Sequence, residues 1–220
     1  MLHLIIPDIH ERLGRLRALD EHIEKADRVI FLGDWWDTFR PKWPIQEILA
    51  YIPEKIYDPK FTFLWGNHDC HYAFDKADFI CSGYDHHTKA FLRKNMPPEA
   101  WRRFKVFETV DKYVVSHAGF HPKTLKYKDQ VDEALEEAFV GRFHPLWAAG
   151  KAVGGYADFG GPTWLRWWEM EDLDFYQIVG HTPGKEVRQD GKNTCLDTGL
   201  NDIAWIDDET GELTIERVVA

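Results

Sequence analysis

Five short motifs carry side chains able to hold a divalent cation. Asp8-Ile9-His10 sets a carboxylate and an imidazole one residue apart, and Gly33-Asp34-Trp35-Trp36-Asp37 offers two carboxylates behind a glycine. Gly66-Asn67-His68-Asp69 gathers an amide, an imidazole and a carboxylate, while Ser116-His117-Ala118-Gly119 and Gly180-His181-Thr182 each add a histidine. Taken singly, each has an ordinary structural explanation. Asp8 reads as a helix N-cap, Asp34 as a turn residue, and the histidines as side chains satisfied by local hydrogen bonds. Their shared position argues otherwise, because every motif directly follows a short apolar run.

Those runs, residues 2–6, 28–32, 61–65, 113–116 and 176–179, are β-branched or aromatic and are closed by glycine or polar residues. They read as buried strands. Residues 11–25 carry Leu13, Leu16, Leu19 and Ile23 at helical spacing. Strand alternating with helix implies an α/β fold with a largely parallel sheet, and ligands gather at the carboxyl ends of such strands. Residues 193–196, 203–206 and 212–219 read as further strands, with Asp208-Glu209-Thr210-Gly211 as a hairpin turn. The chain reads as one domain over residues 1–220, with 121–175 as an insertion or cap. That segment holds an acidic amphipathic helix over 129–140 and then a glycine-dense stretch from Gly150 to Gly161, expected to be flexible.

Composition narrows the class. The 220 residues carry a formal net charge of −10, which disfavours sequence-independent binding to nucleic acid or an anionic membrane. The three cysteines form no CxxC pair, so a reducing, cytoplasmic setting is expected. Neither a basic leader nor a run of about 18 apolar residues is present, so no membrane span is expected.

The ordered set Asp-x-His, Gly-Asp-x-x-Asp, Gly-Asn-His-Asp, His-Ala-Gly and Gly-His-Thr, spanning residues 8–182, resembles the calcineurin-like metallophosphoesterase superfamily. Within it, the protein serine/threonine phosphatase and dinucleotide polyphosphatase branches are the most similar. Cys195-Leu196-Asp197-Thr198-Gly199 resembles the Asp-Thr-Gly strand end that follows the last motif in that superfamily. The resemblance implies a four-layer α-β-β-α sandwich, here with a helical, Trp-rich insertion. It also implies hydrolysis of a phosphate ester by a hydroxide bridging two divalent ions. Asp8, His10 and Asp34 would bind the first ion, and Asp34, Asn67, His117 and His181 the second. Oxygen and imidazole ligands without thiolate suit Mn, with Fe or Zn as alternatives. His68 would protonate the leaving oxygen, with Asp37 or Asp69 holding its ring and Asp37 preferred. The partner would be a phosphorylated small molecule, nucleotide or phosphoprotein.

Three departures stand out. Glu11 occupies the place of the family's glycine after Asp-x-His, and Pro183 that of a second histidine. Thr38-Phe39 replaces a phosphate-clamping Arg-Gly, which leaves Arg40 and Arg166 as the candidate clamps. Trp35, Trp36, Trp147, Trp164, Trp167 and Trp168 could stack a base, though core packing is the simpler role for them. His86 and His87 read as an exposed pair without a role. A non-catalytic protein-binding scaffold of the same fold and a nuclease are the competing functions. The retained ligand set speaks against the scaffold. The acidic balance and the missing second histidine speak against the nuclease.

Overall fold

The computed structural model describes residues 1–38 and 45–218. Arg40 lies outside the described residues. Among them, ten strands form two five-stranded sheets. In chain order the strands are β1 (Leu2–Ile6), β2 (Arg28–Phe31), β3 (Phe61–Phe63), β4 (Phe107–Val110), β5 (Tyr113–Ser116), β6 (Tyr176–Val179), β7 (Arg188–Asp190), β8 (Asn193–Cys195), β9 (Asp202–Asp207) and β10 (Glu212–Arg217). The helices are α1 (Leu13–Arg17), α2 (Asp20–Lys25), α3 (Ile45–Lys55), α4 (Asn67–Ala73), α5 (His86–Asn95), α6 (Pro98–Trp101) and α7 (Val131–Phe139).

The first sheet runs β10-β9-β1-β2-β3 and the second β4-β5-β6-β8-β7. In each, three neighbouring strands are parallel: β1, β2 and β3 in the first, β5, β6 and β8 in the second. Antiparallel strands complete the edges. The parallel strands of each sheet end at the same edge, and the motifs sit there, as the crevice rule for α/β sheets leads one to expect.

Side-chain alternation divides the core in two. Ile5, Ile30, Ala204 and Ile206 meet Val115, Ile178 and Leu196 between the sheets. Their strand neighbours Leu4, Ile6, Val29, Phe31, Ile203 and Trp205 point the other way, into a larger core under the helices. A strand buried on both faces must be apolar at every position, which is why these strands read as continuous runs. The outer face of the second sheet carries a small cluster of Val114, Phe120 and Leu173.

The tryptophans mostly pack this larger core. Trp35, Trp36, Trp65 and Trp147 are fully buried, and the rings of Trp65 and Trp101 stack with centroids 5.6 Å apart. Helix α7 of the 121–175 segment adds Ala134 and Ala138 to the same core. The glycine-dense stretch is tied down at several points by backbone hydrogen bonds. Gly161 N–H donates to the Ala148 carbonyl (2.9 Å) and Lys151 N–H to that of Ala157 (2.8 Å). A Cβ on Gly161 would overlap the Leu146 carbonyl, so glycine is needed there for close approach.

Candidate metal centre

The loops after β1, β2, β3, β5 and β6 converge, and the backbone is strained where they do. Non-glycine residues with positive φ include His10 (45°), Glu11 (57°), Asp34 (51°), Asp37 (67°) and His181 (64°). Each such conformation costs about 1–3 kcal/mol and persists only where the surroundings over-determine it. Here they do. Asp69, in the first turn of α4, accepts the N–H groups of Asp34 (2.8 Å), Trp35 (2.9 Å) and Gly66 (2.9 Å). It ties two loops together, so its side chain is spent on backbone and does not hold the His68 ring. The Asp34 carboxylate in turn accepts the His68 N–H at the start of α4 (2.9 Å), filling one of the donors a helix N-terminus leaves open. A Cβ on Gly66 would overlap the Asp34 carboxylate, and one on Gly180 the Asp8 carboxylate.

Two groups of donors share Asp34. One ligand atom from each of Asp8, His10 and Asp34 lies within 4.8 Å of the others, and the same holds for Asp34, His117 and His181. Asn67 Oδ1 is 3.1 Å from His117 Nε2 and so belongs with the second group. The rings are held with their lone pairs inward. His10 Nδ1 faces the carbonyls of Trp36 and Asp37 (3.0 Å each), which leaves Nε2 3.5 Å from Asp34 Oδ2. His117 Nδ1 faces the Leu32 carbonyl (2.9 Å), which leaves Nε2 3.1 Å from His181 Nδ1. Hydrogen bonding at one ring nitrogen fixes the other as the free lone pair.

The charges point the same way. Burial, then repulsion from Asp197, pushes the Asp8 carboxyl well above the usual range; burial, then Asp8 and Asp69, does the same to Asp34. Burial pulls His10 down to about 4 and His117 to about 3, and His181 falls well below its ordinary value. Neutral imidazoles beside crowded carboxyls form a donor set that lacks positive charge. His181 Nε2 is buried without a hydrogen-bond partner. These residues fit divalent cations in chemistry and position.

A second network lies alongside. Asp37 Oδ2 is 2.8 Å from His68 Nδ1 and 2.7 Å from His71 Nε2, and Asp37 Oδ1 accepts from the Tyr72 hydroxyl. Burial alone would raise the Asp37 pKa, but His68, His71 and Tyr72 hold it well below the carboxylate range. Glu11, the residue in the place of the family's glycine, accepts the Asp37 N–H (3.3 Å).

His10, Asp34, Asn67, His68 and His181 line a cleft of about 450 Å³ together with Arg12, Trp164, Arg166 and Asp197. Arg166 Nε is buried there without a hydrogen-bond partner, and the Trp164 ring lies 5.8 Å from that of His181. His86 and His87 are elsewhere, at the start of α5. Sequence reasoning passed over Arg12, His71, Tyr72 and Cys81. For His71 and Tyr72 a signal existed, since they follow His68 by three and four residues on one helix and so share its face.

The model of the family described as calcineurin-like phosphoesterase matches residues 1–185. The chain belongs to that family. It is a phosphoester hydrolase, and the calcineurin-like phosphoesterases are metal-dependent, in keeping with the donor groups above. Solved structures with the same fold include the cold-active protein-tyrosine phosphatase of a psychrophilic Shewanella species, at 15% identity and a TM-score of 0.65 over 97% of this chain and 80% of that one. Others are a putative diadenosine tetraphosphatase, at 15% identity and TM-score 0.56 over 98% and 93%, and a protein serine/threonine phosphatase from Saccharomyces cerevisiae, at 15% and 0.55 over 100% and 81%. At such identity the likeness establishes the fold. No curated protein sequence matches the chain. None of the helices among the described residues is long and apolar enough to cross a membrane.

Proposed function

We propose that this phosphoesterase hydrolyses a phosphate ester with two divalent cations, one held by Asp8, His10 and Asp34, the other by Asp34, Asn67, His117 and His181. The observation that supports this most is the pair of donor groups sharing Asp34, with His117 Nε2 and His181 Nδ1 facing each other in the second. Bound there, the cations would supply Lewis-acid polarisation and acidify an attacking water. Mn suits the oxygen-and-imidazole donors, with Fe and Zn as alternatives.

The chain's own groups do the rest. His68 gives the Nε2 proton to the leaving oxygen, while Asp37 holds Nδ1–H at 2.8 Å and fixes the ring. Arg166 grips the phosphoryl oxygens with its planar guanidinium. Arg40 is the other candidate for that grip. Asp69 and Glu11 fix the loops that carry Asp34 and Asp37. Three free cysteines support a reducing, cytoplasmic setting. A scaffold would have no need of the strained donor set.

The test is turnover of an aryl phosphate by chelated protein, before and after Mn is restored. Activity lost and regained supports the proposal; equal activity in both states defeats it.

A further inference from the structure

The mechanism leaves Cys81 without a use, although it sits beside His68 and His71. Behind His68, Cys81 Sγ lies 3.3 Å from His71 Nδ1 and 3.9 Å from His68 Nδ1. One ligand atom from each of the three residues lies within 4.8 Å of the others. His68 and His71 are buried, while Cys81 is half-buried and lines an open groove with Ile80 and Ser82, which gives the cluster an approach from solvent.

We propose that His68, His71 and Cys81 form a third metal site, inhibitory in effect, that takes a thiophilic divalent cation such as Zn²⁺ or Cd²⁺. The donor chemistry separates this site from the other two. Sulfur with imidazole selects Zn²⁺ and Cd²⁺, whereas the Asp34-centred groups offer only oxygen and nitrogen. The surroundings suit a ligated imidazole. With Nδ1 toward the cation, the opposite nitrogen of His71 lies 2.7 Å from the Asp37 carboxylate, the carboxylate–histidine pairing that orients metal-binding rings. Three protein ligands leave the fourth tetrahedral position for water.

Binding exchanges bonds in a balanced way. The Cys81 S–H bond is replaced by a metal–sulfur bond, and that proton leaves to solvent. His71 gives Nδ1. His68 also gives Nδ1, whose proton leaves to solvent while Nε2 keeps its own, and the His68–Asp37 hydrogen bond is lost. The cation then occupies the position of one ring proton. A neutral, metal-bound imidazole is a far weaker acid than imidazolium, so His68 no longer protonates the leaving group. This inhibitory consequence rests on the role given to His68 above; the site itself does not.

Two measurements on the Mn-loaded protein test it. The first titrates ZnCl₂ against turnover at saturating Mn, in the parent, Cys81→Ser and Cys81→Ala. The expected result is inhibition that further Mn does not relieve, with both variants active and less sensitive to zinc by on the order of 10- to 100-fold. The second adds CdCl₂ and reads the ultraviolet cadmium–thiolate absorption, with metal content after desalting. The parent should gain the band and one extra equivalent of metal, and the variants neither. Equal zinc sensitivity in parent and variants, or relief by Mn, places zinc at the Asp34-centred groups and overturns the proposal. Absence of the Cys81-dependent band also overturns it. A parent with no Mn-dependent turnover would defeat the phosphoesterase mechanism, while the cadmium band would still decide the site.

Discussion

Replacing Asp37 by Asn removes one charge from a buried network and leaves both groups of metal donors whole. Asp37 receives His68, His71 and Tyr72, and an amide cannot serve all three, because its NH₂ end donates. A hydrogen bond to a charged group contributes about 1.5–3 kcal/mol. At 1.36 kcal/mol per decade, loss of the His68 contact alone corresponds to roughly a 10- to 150-fold fall in kcat. Removing the proton donor itself, in His68→Asn, should cost on the order of 10² to 10⁴. Both losses should be largest on alkyl phosphates, whose leaving alkoxides need protonation, and shrink on aryl phosphates with acidic leaving groups. The double variant should be no slower than His68→Asn, because Asp37 acts only through that ring. The assay is kcat across a leaving-group series for parent, both single variants and the double, with metal content measured on each. Full activity of Asp37→Asn on alkyl phosphates, or an undiminished Asp37 effect in the His68→Asn background, would refute the reasoning.

Three further outcomes are expected. Arg166→Ala should lower kcat/KM by roughly 10- to 100-fold, with Arg166→Lys recovering only part, because an ammonium cannot grip two oxygens at once; the check is steady-state kinetics at constant metal content. Gly66→Ala should lose bound metal, because the added methyl overlaps the Asp34 carboxylate, and elemental analysis of the folded variant reads this directly. The stabilisation given by Mn over chelated protein should grow as pH rises above about 4. In metal-free protein the folded carboxyls of Asp8 and Asp34 hold protons that the unfolded chain releases, so their contribution to stability falls as pH climbs toward the raised folded values. The cations remove that penalty. The histidines are neutral in both folded forms and cancel, so the melting-temperature gap between loaded and chelated protein should widen with pH.

How far the chain could be read depended on burial. The strands under Asp8, Asp34, Asn67, His117 and His181 are covered on both faces, so they appear as unbroken apolar runs with an odd polar ending. Strands β4 and β7 are edge strands with Phe107-Glu108-Thr109-Val110 and Arg188-Gln189-Asp190. An edge needs no continuous apolar run, and neither strand was foreseen. The spacing of Leu13, Leu16, Leu19 and Ile23 marked a buried face correctly, yet the helix breaks near Leu19 into α1 and α2. A face is set by the apolar pattern, whereas helix continuity is set by local backbone geometry the pattern does not encode. The same divide runs through the site. Asp37 and Asp69 were both candidate partners for His68 on paper, and the family resemblance alone favoured Asp37. Only the fold shows Asp69 turned onto three backbone N–H groups and Asp37 turned onto the ring. Cys81 comes from a loop with no motif, and Arg12 lies just past the motif in the loop of Asp8 and His10, so their approach to the site depends on tertiary closure.

The shared position of Asp34 is tested most directly by counting metal. Parent, Asp34→Asn and His181→Asn are loaded with Mn, desalted, checked for folding by circular dichroism and analysed for metal per chain. The parent should hold about two ions, His181→Asn should lose mainly one, and Asp34→Asn should lose both together with turnover. A folded Asp34→Asn protein that kept two ions and full activity would contradict the account.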